Sequence, residues 1–281
     1  MINTFRIHGG LPLFALLALG VLAAMMSFSL RAEPAASSKS DKPAQALPTI
    51  VLVHGAFADA SSWNDVARRL RGQGYPVTAI ANPLRGVASD ARYTARVIDG
   101  IAGPVVLVGH SYGGSVISAA AVGKANVTAL VYVAAFAPDV GESCASLSGK
   151  FPGSTLGDAL GQPVPQESGA SDLYIRQDRF WKQFAHDVPE GDAQLMAIGQ
   201  RPITDAALNE PTGEIASAWK TLPSYFVFGT GDRNIPPVAL AWMAERAASR
   251  GTVSIPYASH VPMISHPETV AKLIIQAARG R

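Results

Sequence analysis

The sequence predicts an α/β fold: a mostly parallel central sheet covered by helices on both faces, with a helical cap insertion. Three observations predict it. From residue 49 onward, apolar strands alternate with helical stretches, the order a parallel sheet needs because its strands are joined by helical crossovers. One strand, Val105–Val108, is a valine-rich apolar run without alternation, as burial on both faces requires. That strand runs directly into Gly109-His110-Ser111-Tyr112-Gly113 and then into small, helix-compatible residues.

In chain order, Met1–Ala32 reads as an export signal. Arg6 and the amino terminus give a weakly positive start, Leu11–Leu30 is mostly apolar, and Leu30-Arg31-Ala32 precedes a cleavage site. A retained anchor is the alternative, because the apolar stretch approaches membrane-spanning length, although Pro12 and two serines weaken it. Residues 33–48, rich in Ala, Ser, Lys and Pro, read as a flexible linker. The core is expected over 49–139 and 223–281, with 140–222 as the cap insertion.

Within the core, Thr49–Val53 is a strand. Ser61–Gln73 is an amphipathic helix with Trp63, Val66, Ala67 and Leu70 on one face, Ser61 or Ser62 as its cap and Gly74 beyond its end. Tyr75–Ala81 is a strand, Asp90–Ile101 a helix, Tyr112–Gly123 the helix after the serine turn and Val127–Ala134 a buried strand. The period breaks over Val140–Leu222, where glycine and proline are frequent and helical patches are confined to Ser171–Asp187 and Asp192–Gly199. Strand Ser224–Phe228, a helix near Pro237–Ser249, strand Thr252–Ile255 and helix Pro267–Arg279 complete the alternation.

Composition excludes several functions. The formal charge is +2, but removing Arg6 and Arg31 with the signal leaves 21 basic against 21 acidic residues, so no basic footprint for nucleic acid remains. One cysteine, Cys144, excludes an internal disulfide and a Cys-rich metal site; distant from the motifs in sequence, it reads as an ordinary thiol. No cofactor or metal is expected, and no stable membrane span after signal removal. Nothing in the sequence indicates an oligomeric state.

The chemistry concentrates at Ser111. A serine turned sharply between strand and helix has strained backbone angles, and bulky neighbours two residues away would collide with it, so both flanking positions are glycine. The turn exposes the hydroxyl beside a helix N-terminus, which favours negative charge. A serine needs a base, and the base an orienting carboxylate. Of six histidines, His260 lies in Tyr257-Ala258-Ser259-His260-Val261-Pro262, where a loop after a strand brings an imidazole over Ser111. For the acid, Asp232 ends Phe228-Gly229-Thr230-Gly231-Asp232 at the close of a strand; Asp139 is the rival. The backbone N–H groups of Tyr112 and Ala56 are the candidate oxyanion donors. The side chains of Phe57 and Tyr112 are expected to wall the pocket, and Phe180, Trp181 and Phe184, with Leu173, to line it from a cap helix. Arg176, Arg179 and Lys182 read as the solvated face of that helix.

From Pro48 to the C-terminus the chain resembles the α/β-hydrolases, and within them the small esterases that share a branch with plant methylesterases and hydroxynitrile lyases. The resemblance is carried by VLVHGAF (51–57), GHSYGG (109–114), FGTGDRNIPP (228–237) and SHVPMISHP (259–267), and in the insertion by DRFWKQFAHDVP (178–189) and QRP (200–202). It implies Ser111, Asp232 and His260 as a triad, Ala56 and Tyr112 as oxyanion donors, a small-molecule ester substrate and no cofactor. The lyases of that branch carry a lysine after the histidine, where this chain has Val261. The expected activity is carboxylic-ester hydrolysis; a lyase or a non-catalytic ligand-binding member of the fold is the alternative.

Overall fold

A computed structural model of the chain describes residues 46–213 and 217–280. The predicted signal segment and residues 33–45 of the predicted linker lie outside them.

The first strand β1 (Thr49–Val53) is followed by a single 3₁₀ turn, Ala60–Trp63, and helix α1 (Asn64–Gly72). Asp59, rather than Ser61 or Ser62, caps that turn by accepting from the Ser61 N–H, since its carboxylate reaches the first free amide. Then come β2 (Val77–Ile80), α2 (Val87–Asp99), β3 (Val105–His110), α3 (Tyr112–Ala120) and β4 (Val127–Val133). Helix α2 starts three residues before the expected Asp90, at Val87, after Gly86.

Residues 140–222 hold α4 (Cys144–Gly149), α5 (Leu156–Ala159), β5 (Val164–Pro165), β6 (Ser171–Leu173), α6 (Gln177–Phe184), α7 (Glu190–Gly199), β7 (Ile203–Thr204) and α8 (Asp205–Asn209). The expected helix over Ser171–Asp187 is therefore shorter. Its first three residues pair antiparallel with β5 and β7 in a small sheet, and tertiary pairing overrides the helical period there. The chain closes with β8 (Ser224–Gly229), α9 (Pro237–Arg246), β9 (Gly251–Ile255), α10 (Pro262–Ser265) and α11 (Pro267–Ala278).

Six strands form one parallel sheet in the order β2-β1-β3-β4-β8-β9. β1, β3, β4 and β8 are its inner strands. Every residue of β3 and β8 is buried, which is why these strands lack alternation. Helix α1 packs with α11 and α2 with α3, covering the sheet with their apolar stripes. Because β2 and β3 flank β1 on opposite sides, the winding reverses between β1 and β3. Ligands of open parallel sheets bind beyond the carboxyl ends of the strands at such a reversal. No helix among the described residues is long and apolar enough to cross a membrane.

Candidate active site

Ser111 follows β3 at that reversal, with φ 53° and ψ −124°, a region costing a non-glycine residue on the order of 1–3 kcal/mol. Phe57 after β1 and Ala134 after β4 share positive φ, so the chain turns sharply at the ends of three adjacent strands. The surrounding glycines permit the crowding. A Cβ on Gly55 would sit 2.6 Å from the Ser111 Cβ, and one on Gly114 2.2 Å from the Phe136 carbonyl oxygen. The β1 loop thus lies directly against the serine turn.

His260 and Asp232 meet as a buried pair. The His260 Nδ1–H donates to Asp232 Oδ2 at 2.7 Å, and Asp232 Oδ1 accepts from the backbone N–H groups of Asn234 at 2.8 Å and Ile235 at 3.0 Å. With Nδ1 committed, the ring presents Nε2 as its acceptor. Ser111 and His260 open onto one cavity of about 370 Å³. Among the described residues, Ser111 Oγ makes no hydrogen bond to His260; such contacts are often long until substrate binds. Asp139 lies elsewhere, 2.7 Å from Lys220 Nζ.

The two candidate donors also stand at this cavity. Ala56 and Tyr112 both line it, and among the described residues neither backbone N–H has an acceptor. The Ala56 loop is held by His54: the Asn82 N–H donates to its Nε2 at 3.0 Å, so its Nδ1–H donates to the Gly55 carbonyl at 2.9 Å. Burial lowers the His54 pKa, which keeps this ring neutral and the pattern intact. Tyr112 is fully buried, and its hydroxyl donates to Asp90 Oδ2 at 2.9 Å. Burial pushes the Asp90 carboxyl up, against hydrogen bonds from Tyr112, Ser89 and Arg85; burial and then Asp90 push the phenol up.

The cavity wall differs from the expected one. Phe57 lines it, but Phe180, Trp181 and Phe184 do not. Phe184 packs behind the candidate base, its ring 5.2 Å from the His260 ring and 4.9 Å from Phe180, and the Trp181 indole N–H donates to the Val188 carbonyl at 3.0 Å. The apolar lining comes instead from Phe136, Phe151, Leu156, Leu160, Leu208 and Ile235. Cys144, distant in sequence, also lines the cavity; its Sγ lies 3.2 Å from Ser115 Oγ, and burial pushes the thiol up to about 12. Such a thiol is inert at neutral pH. Among the described residues no His, Cys, Asp and Glu cluster is fit to hold a metal ion.

A helix-covered parallel sheet, with Ser111 strained at a strand–helix turn and sharing one cavity with a buried His–carboxylate pair, places the chain among the α/β proteins that carry their site beyond the carboxyl ends of the strands. The chain belongs to the alpha/beta hydrolase family, whose model matches residues 50–273. It is similar to methylesterase 7 from Arabidopsis thaliana, at 26% identity over 81% of this chain and 95% of the relative. It is also similar to the alpha-hydroxynitrile lyase of Arabidopsis thaliana, at 25% identity over 78% of this chain and 92% of the lyase. Among solved structures, polyneuridine aldehyde esterase superposes with a TM-score of 0.69 at 20% identity, over 82% of this chain and 99% of that one, a likeness of fold.

Proposed function

We propose that this chain is a serine hydrolase of carboxylic esters, acting on small to medium apolar esters through an acyl-enzyme. His260 Nε2 takes the proton as Ser111 Oγ attacks the ester carbonyl, and the carbonyl oxygen gathers its negative charge against the Ala56 and Tyr112 N–H groups. Collapse expels the alcohol, which receives the proton from His260. Water, deprotonated by the same imidazole, then attacks the acyl-Ser111 carbonyl, and its collapse returns Ser111 and the free acid. Asp232 fixes the tautomer and stabilises the imidazolium throughout. The observation that carries this reading is the buried 2.7 Å Asp232–His260 contact opening onto the same cavity as Ser111. The resemblance to esterases named above supports it.

The test is turnover of a p-nitrophenyl ester chain-length panel by wild type and Ser111→Ala. A loss of several orders of magnitude in a folded variant is expected; a rate like wild type would reject the nucleophile. Cyanohydrin cleavage is the second reading, favoured by the resemblance to an alpha-hydroxynitrile lyase. The proposal includes export to the periplasm or medium, supported by the charge and hydropathy pattern of Met1–Ala32, with a mature chain starting near Glu33. An uncleaved anchor would leave Phe14 and Leu16 in the mass spectrum of the exported protein.

A further inference from the structure

Helix α6 turns its aromatic stripe away from the substrate cavity, and its polar residues explain what it holds instead. Gln183 is buried, 6% exposed, and uses both ends of its amide. Its Nε2 donates to the Arg233 carbonyl at 2.9 Å and to Asn234 Oδ1 at 2.7 Å, while its Oε1 accepts from Thr155 Oγ1 at 2.9 Å. The Arg233 carbonyl and the Asn234 N–H belong to one planar peptide unit. One edge of that unit is gripped by Gln183 and by the Thr155 N–H at 3.0 Å; the opposite edge donates to Asp232 Oδ1 at 2.8 Å. A tilt of this peptide therefore moves the support of the carboxylate.

The turn that carries the acid runs against the loop before His260, where the Thr230 N–H donates to the Ile255 carbonyl at 2.9 Å and the Gly231 N–H to the Ala258 carbonyl at 3.0 Å. Two glycines are needed for this close approach: a Cβ on Gly229 would sit 2.0 Å, and one on Gly231 3.1 Å, from the Ala258 carbonyl oxygen. The insertion adds contacts on both sides of Asp232. Upstream, His186 Nε2–H donates to the Gly231 carbonyl at 3.0 Å; downstream, Ser154 Oγ donates to the Asn234 carbonyl at 2.8 Å.

We infer that Gln183 is a positioning residue for Asp232, acting through the Arg233–Asn234 peptide. The inference rests on the reading of Asp232 as the carboxylate that orients His260. Gln183 touches neither substrate nor reacting atoms, and it is not among the residues lining the cavity. Its loss misplaces the carboxylate and leaves substrate binding intact, so kcat falls and KM does not.

The experiment measures p-nitrophenyl butyrate turnover by wild type, Gln183→Met, Asp232→Asn and the double variant. Methionine keeps the volume and removes both polar ends. Gln183→Met is expected to lower kcat by between about 10- and 100-fold, the scale of a small misplacement of catalytic groups, with KM within about twofold. In the Asp232→Asn background the same substitution is expected to change kcat less than about twofold, because there is no carboxylate left to position. A role in stability alone predicts the opposite, the same fractional loss in both backgrounds, and that result overturns the inference, as does a folded Gln183→Met with unchanged kcat. Should Gln183→Met fail to fold by circular dichroism, Gln183→Glu replaces it: it keeps the shape and the Thr155 contact but loses the Nε2 donor, and the same two outcomes apply. Full activity in Asp232→Asn would instead reject the reading of Asp232 itself, separately from anything Gln183 does.

Discussion

The Nε2–H of His110 donates to the backbone carbonyl of His260 at 2.9 Å, tying the end of β3 to the loop that carries the candidate base. The two rings lie 4.9 Å apart, and the other nitrogen of His110, Nδ1, is buried with no hydrogen-bond partner among the described residues. Burial first, and the neighbouring His260 second, push the His110 pKa well below its usual 6.5; His54 is lowered too, chiefly by burial. A histidine depressed in the fold binds its proton more readily in the unfolded chain. Stability is therefore full above about pH 6.5 and is lost as pH falls toward the folded values, by at most about 1.4 kcal/mol per pH unit for each group. Asp90, raised by burial, works in the opposite sense. Thermal melts at pH 7.5 and 5.5 should show a lower Tm at the acid value, and His110→Gln should make that dependence shallower. An identical slope in the variant would show that another group carries it.

The two candidate acids separate cleanly by environment. Asp139 is partly exposed; burial pushes its carboxyl up, but hydrogen bonding from Lys220 and the Val140 N–H together with the Lys220 charge leave it lowered, as in a surface ion pair. Asp232 has its partner in His260 and its second oxygen on two backbone amides. Asp232→Asn should reduce kcat on the order of 10³- to 10⁴-fold, the cost of a wrong tautomer in such a site, whereas Asp139→Asn should stay within about twofold. The reverse order in p-nitrophenyl ester assays would transfer the role to Asp139.

The serine turn was legible in the sequence because its determinants are local. A strand buried on both faces must be apolar throughout, and the turn that follows leaves room only for glycine at positions 109 and 113. Asp232 and His260 were legible as strand-end residues, although no spacing rule states that they touch. The cavity wall was not legible. Helices α4 and α5 have six and four residues, too few to display a period. The stripe of Phe180 and Phe184 has the same spacing whether it faces a substrate or the back of His260. Gln183 gave no signal either, since a polar residue on an amphipathic helix reads as solvated until its long-range partners are known.

That difference in wall and buttress gives a paired expectation. Leu156 lines the cavity, so Leu156→Trp should shorten it and lower the p-nitrophenyl octanoate to acetate rate ratio at least about tenfold. Phe180 is fully buried away from the lining, so Phe180→Ala should cost about 3–5 kcal/mol of stability and leave the ratio unchanged. Denaturant titration and the ester panel read the two effects separately. A changed ratio in Phe180→Ala, with Leu156→Trp silent, would return the pocket to α6.

The line between hydrolase and lyase turns on where charge develops. Cleaving a cyanohydrin releases cyanide, and an ammonium or guanidinium nearby lowers the cost of that anion in a cavity screened from water. Val261, following the candidate base, is fully buried and apolar, and neither lysine nor arginine is among the residues lining the cavity. Lys182, the cap lysine nearest in sequence to the aromatic stripe, lines a separate surface groove with Arg179 and Arg233. In ester hydrolysis the charge falls on the carbonyl oxygen, for which the Ala56 and Tyr112 N–H groups, without acceptors among the described residues, are the candidate donors. Turnover of short and medium p-nitrophenyl esters should therefore exceed cyanide release from mandelonitrile by at least about a hundredfold, the difference made by a single well-placed donor to a developing charge. Both activities are to be measured on one preparation beside Ser111→Ala. Cyanide release that outruns ester turnover, and vanishes in Ser111→Ala, would make this chain a lyase built on the same serine.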